Sequence, residues 1–190
     1  MTYRNKNKAY EGLIVYWLAM TIYDLTVIFC KTYMTYKTYK LYTRTYDQMV
    51  QAARSGKQNI VEGWLEKSFE GTLKLLGVAR ASFWELKEDL FDYLRQNNLS
   101  VWNKEDSRIL EIRRTIDLPY KTYTSYTTYK KNLGNDEALA NLIITLCSKE
   151  SFLLDRLIKS VEEKFIREGG FRENLFKKRR EWQKQERNTL

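Results

Sequence analysis

The sequence predicts an all-α fold: an up-down four-helix bundle with an inserted short helix and a basic helix at the C-terminus. Three observations lead there. One Pro and eight Gly in 190 residues are far fewer turn residues than an all-β chain needs. Apolar residues recur at spacings of three and four through four long stretches. The links between those stretches are short, which sets successive helices side by side. With 43% hydrophobic and 30% charged residues the chain has a globular balance, and it is long enough for one domain with its own core. We divide it into 1–168, the bundle with an insert at about 98–135, and 169–190, a C-terminal suffix helix.

The first helix is expected from Asn5 to Thr32, with Ala9, Leu13, Trp17, Met20 and Val27 on its inner face and Asp24 interrupting. Its apolar run, Leu13 to Phe29, is short for a membrane span, is broken by Asp24 and lacks a small-residue cleavage site. It therefore reads as a core helix of a cytoplasmic protein with no membrane partner. The second helix is expected near Thr45, which can cap, with Asp47 in the first turn. Met49, Ala52, Ala53, Gly56, Ile60 and Gly63 share one face. Gly inside a helix costs about 1 kcal/mol against Ala, so Gly56 and Gly63 predict close contacts. A third helix follows from Ser68 to Gln96, with Leu73, Leu76, Ala79, Phe83, Trp84, Leu86, Leu90, Tyr93 and Leu94 as core. NNLS stops it, and a shorter helix ended by Pro119 comes next. The last long helix, capped by Asn135 or Asp136, runs to Glu168 through Leu139, Leu142, Ile143, Leu146, Leu153, Leu154, Leu157, Val161 and Phe165. Gly169 and Gly170 end it, and RENLFKKRREWQKQER forms the basic suffix helix.

Several chemistries are excluded by what is missing. With no His there is no usual general base, no usual zinc ligand and no di-iron Glu-x-x-His pair. Cys30 and Cys147 lie in apolar helical contexts and read as buried free thiols. No glycine-rich phosphate loop occurs. We therefore expect no enzyme, no catalytic residues, no metal and no cofactor. Glu85, Glu88, Asp89 and Asp92 make an acidic stripe on the third helix; it reads as a solvated or ion-paired face, with a cation site as the minor alternative.

What remains points to binding. The formal charge is +9 and sits mostly at the ends: residues 1–8 carry +3 and residues 172–190 carry +4. Basic ends suit an anionic partner such as nucleic acid, or serve solubility alone. Lys177, Lys178, Arg179, Arg180 and Lys184, interleaved with Phe176 and Trp182, combine point charges with stacking surfaces, as sequence-tolerant nucleic-acid binding requires. The competing account packs this helix on the bundle through Leu175, Phe176 and Trp182. Arg54 and Lys57 share a face of the second helix and join the nucleic-acid candidates. Arg80, alone among apolar neighbours, either pairs with a carboxylate such as Glu62 or lines a channel. Two tyrosine runs, Tyr33, Tyr36, Tyr39, Tyr42 and Tyr120, Tyr123, Tyr126, Tyr129, recur at intervals of three. That step makes no clean stripe in an α-helix and alternates faces in a strand; only 3₁₀ or polyproline II conformations would stack the rings. Both runs fall at helix junctions. They read as packing or oligomer-interface segments, with base stacking as the alternative.

RTYDQMVQAARSGKQNIVEG, Arg44 to Gly63, resembles the second-helix signature of the four-helix-bundle proteins related to the 23S rRNA intervening-sequence family. That group includes the accessory proteins of diversity-generating retroelements. ANLIITLCSKESFLLDRLIKSVEEKFIREGGFRENL is similar to the last helix and extension of its suffix-domain subgroup, with Gly169–Glu173 the most specific part. The likeness covers most of residues 3–180. It implies a homo-oligomer, a pentamer on the retroelement pattern, with nucleic acid and a reverse transcriptase as partners. The insert and the C-terminal helix make this chain longer than the retroelement proteins.

Overall fold

A computed structural model describes residues 10–34, 41–115 and 126–188, apart from the side chains of 41–43 and 187–188. These residues are mostly helical, with no strand among them: α1 Ile14–Tyr33, α2 Leu41–Leu65, α3 Phe69–Gln96, α4 Ser107–Arg114, a 3₁₀ helix Thr127–Asn132, α5 Asp136–Glu168 and α6 Phe171–Asn188.

Local signals set most of these limits. Ser68 Oγ accepts from the Gly71 amide at 3.1 Å and starts α3, and Asn135 Oδ1 accepts from the Ala138 amide at 2.8 Å and starts α5. Asn98, in the left-handed region at φ 56°, follows the end of α3, and Gly169 at φ 77° closes α5. Two starts differ from expectation. α1 begins at Ile14 rather than Asn5, because Leu13 is extended. Ahead of it, the Trp17 indole donates to the Glu11 carbonyl and Tyr10 packs edge-on against Tyr16, folding residues 10–12 onto the first turn. α2 is already helical at Leu41, so Thr45 is an interior residue and not a cap. Neither Gly nor Pro interrupts the chain between the two positions.

Four helices enclose the core in a closed cycle: α2 packs on α1 and α3, and α5 packs on the same two. Leu18, Ile22, Leu25 and Phe29 of α1 meet Met49 and Ile60 of α2, Leu76, Phe83, Leu86 and Leu90 of α3, and Leu139, Leu142, Leu146 and Leu154 of α5, all fully buried. Each such side chain stabilises the fold by about 1.5–3 kcal/mol relative to exposure. α1 is also long and apolar enough to cross a membrane, and half of its most apolar window is buried in this core. Gly56 has the contact its helical position predicts: a Cβ there would lie 2.5 Å from the Phe83 ring.

The inner face of α1 is not the expected one: Leu18, Ile22, Leu25 and Phe29 point inward, whereas Leu13, Trp17, Met20 and Val27 lie on the other side of the helix and are only half-buried, and Ala9 lies outside the described residues. The helix is apolar nearly all round, so its period does not choose a face. Two residues of α3 also fall elsewhere than expected. Trp84, a core residue by its spacing, is 53% exposed and capped by the Lys87 ammonium 3.5 Å above its ring. Phe83 takes the inward direction, and one residue further on a helix turns 100° away. Arg80 pairs with Asp155 of α5 at 2.8 Å, not with Glu62. Gly63 faces Thr72 and Leu75, which puts Glu62 about two turns from Arg80 along the α2–α3 hairpin.

The insert is tied to α5 by a buried Asn. Asn141 Oδ1 accepts from the Trp102 amide at 2.8 Å, and its Nδ2 donates to the carbonyls of Ser100 and Glu137. Glu137 accepts from the Trp102 indole and the Ser100 amide, and these bonds hold its carboxyl below the usual range. Ile109 and Ile112 then seat α4 on α5.

Candidate nucleic-acid interface

α6 is built for a sharp restart after α5. Gly169 turns the chain, and the Gly170 amide donates to Glu173 Oε2 at 3.0 Å, the carboxylate half of a capping box. Asn174 Nδ2 donates back to the Glu168 and Gly169 carbonyls. Beyond this collar no other described helix packs substantially against α6. The account in which α6 lies on the bundle fails: Leu175, Phe176 and Trp182 are 50%, 61% and 59% exposed.

Lys177, Lys178, Arg179, Arg180 and Lys184 are all exposed and none is ion-paired among the described residues. Their positions separate into faces at 100° per residue. Lys177, Arg180 and Lys184 form one stripe, whereas Phe171, Leu175, Lys178 and Trp182 form the opposite one. Arg180 also lies 5.9 Å from the Phe176 ring centroid. Cations and flat apolar rings thus share one solvent-facing helix.

The other basic candidates sit apart from this cluster, on α2. Arg54 is exposed, but the Lys57 ammonium is held 4.4 Å above the Tyr23 ring of α1. The tyrosines divide. The Tyr33 hydroxyl donates to the Leu133 carbonyl at 2.7 Å, and its ring packs on Phe29. Tyr129, in the 3₁₀ helix, is 2% exposed, and Tyr126 packs on the core beside it. These three rings are used inside the chain, joining helix ends to the core. Tyr36, Tyr39, Tyr120 and Tyr123, and the side chain of Tyr42, lie outside the described residues.

The cysteines offer no reactive chemistry. Both are free and buried; burial pushes the Cys30 thiol up to about 12 and the Cys147 thiol up as well. Among the described residues no three Cys, Asp or Glu side chains converge as a metal site would need.

The acidic stripe of α3 has a feature its spacing did not reveal. Glu85 and Asp89 edge a cleft of about 390 Å³ between α2 and α3, and Asp89 and Asp92 edge a second of about 280 Å³ that adjoins it. Gln48 lines both. Partial burial and the neighbouring Asp92 and Glu85 charges push the Asp89 carboxyl above its ordinary value.

Comparison with protein-family models, with curated proteins and with solved structures yields no match.

Proposed function

We propose that this chain is a non-enzymatic, homo-oligomeric four-helix-bundle protein of the intervening-sequence superfamily that binds nucleic acid through α6. The observation that carries the reading is α6 itself, an exposed helix bearing Lys177, Lys178, Arg179, Arg180 and Lys184 together with the exposed rings of Phe171, Phe176 and Trp182. Cations attract phosphates at any sequence and release their counterions, and exposed rings stack on unpaired bases. Single-stranded RNA or DNA is accordingly the favoured form. A role as accessory factor to a reverse transcriptase in a diversity-generating retroelement follows from the family likeness alone.

Fluorescence anisotropy of a labelled single strand, titrated over a range of salt, tests the reading. Neutralising five phosphates should give a slope of log affinity against log salt of about −3 to −4. Replacing Lys177, Lys178, Arg179, Arg180 and Lys184 by Gln should flatten it. Absent or salt-insensitive binding at low ionic strength sinks the proposal.

A second reading, structural self-assembly without nucleic acid, is favoured by the uncovered stripe of Phe171, Leu175 and Trp182. Under it, removing residues 172–190 changes the oligomer while no nucleic acid binds the intact chain.

A further inference from the structure

α6 is a helix without a partner among the described residues, and its charge has a definite pattern. Lys177, Arg180 and Lys184 stand at i, i+3 and i+7 on one face, spread over about 10 Å of axis. The outward face of α3 carries the opposite charge over the same length: Glu85, Asp89 and Asp92 at i, i+4 and i+7. Reversing the chain direction makes the two patterns coincide. With the helices antiparallel, Lys177 falls opposite Asp92, Arg180 opposite Asp89 and Lys184 opposite Glu85.

The α3 side has room and little counter-charge among the described residues. The three carboxylates edge the two adjoining clefts between α2 and α3, whose walls include Gln48, Gln51 and Ser55. Among the described residues no cation pairs with Glu85 or Asp89, and Asp92 holds only Arg95, in an exposed pair one turn away. Long basic side chains entering from outside would meet carboxylates that at present repel one another.

We infer that the groove between α2 and α3 receives α6 from a second copy of this chain, antiparallel to α3. The chain cannot supply its own. Gly170 lies beside Glu70, and Phe165 beside Phe69, so α6 starts at the N-terminal end of α3. Asp92 is about 33 Å further along that helix, whereas Lys177 is only about 10 Å from the turn. A suffix folded back in its own subunit would also run parallel to α3, and the register would be lost. Exchange between copies satisfies both constraints.

This deepens the oligomeric part of the function proposed above and is independent of its nucleic-acid part. Phosphates and the α3 carboxylates are alternative anions for one basic stripe, so strand binding and this contact compete.

The test is absolute mass by light scattering after size exclusion of the full chain at low and high salt. The wild type should be a multimer at low salt and lose mass as salt rises. Glu85→Lys/Asp89→Lys/Asp92→Lys and Lys177→Glu/Arg180→Glu/Lys184→Glu should each run as helical monomers, and their equimolar mixture should regain the multimer. A monomeric wild type, a reversal that keeps wild-type mass, or a mixture that stays monomeric overturns the inference. Should a reversal fail to fold, Glu85→Gln/Asp89→Asn/Asp92→Asn takes its place and must associate more weakly than wild type. That neutral variant should also bind labelled single-stranded RNA at least as tightly as wild type. Loss of mass with RNA binding retained supports this contact; RNA binding absent from every form, with the mass pattern intact, removes only the nucleic-acid reading.

Discussion

Gly56 has no room for a methyl group, because the Phe83 ring would meet it at 2.5 Å, and the ring is locked in the core. Gly56→Ala therefore gains helix propensity but overpacks the α2–α3 seam. We expect a net loss of about 1–3 kcal/mol, read as a lower midpoint in urea. Asp89 works the other way. Its folded carboxyl titrates above the unfolded one, so the native state holds the proton more tightly, and stability falls as pH rises through that interval. Asp89→Asn should raise the thermal midpoint at neutral pH and remove this decline, while at pH well below the carboxylate range the two proteins should converge. A scan of melting temperature against pH decides it. At this scale the sequence was informative about Gly56, since a costly Gly inside a helix implies a contact. It placed Asp89 in an acidic stripe with Glu85 and Asp92 but did not show its partial burial, which depends on α2, a remote part of the chain.

Caps and periodicity govern the elements. Ser68, Asn135 and the Gly169–Gly170 pair stood out as helix limits because their bonds reach only three residues along the chain. The start of α1 did not, because the contacts of Tyr10 and Trp17 that end the helix early leave the apolar period unchanged. The insert depends on a longer reach. Asn141 is 1% exposed and serves three backbone groups, two of them in the segment before α4. Asn141→Ala would leave the Trp102 amide and Ser100 carbonyl unsatisfied, at a cost of about 1–3 kcal/mol. Hydrogen exchange should show those amides and α4 opening first, with α2 and α3 still protected.

For the molecule as a whole, the closed cycle of α1, α2, α3 and α5 makes the core independent of the residues beyond Glu168. A chain ending there should keep its unfolding free energy within about 0.5 kcal/mol at a concentration where the full chain is monomeric. A larger loss would mean that α6 packs on its own bundle. Cys30 and Cys147 should resist thiol reagents until global unfolding, since both lie inside this core and their thiols are pushed up by burial.

The helical class, the core faces of α2, α3 and α5 and the basic helix at the C-terminus were legible in the chain because each follows from spacing within one helix; the inner face of α1 and the exposure of α6 were not. The partner of Arg80, the outward turn of Trp84, the choice of the Leu133 carbonyl by Tyr33, and the clefts beside Glu85 and Asp89 were not, although packing of tyrosines at helix junctions was expected. Each depends on which helix stands opposite and at what height, and a period of 3.6 residues carries no information about register between helices. Packing alone made those choices, and so it alone brought the acidic row of α3 to the rim of a groove.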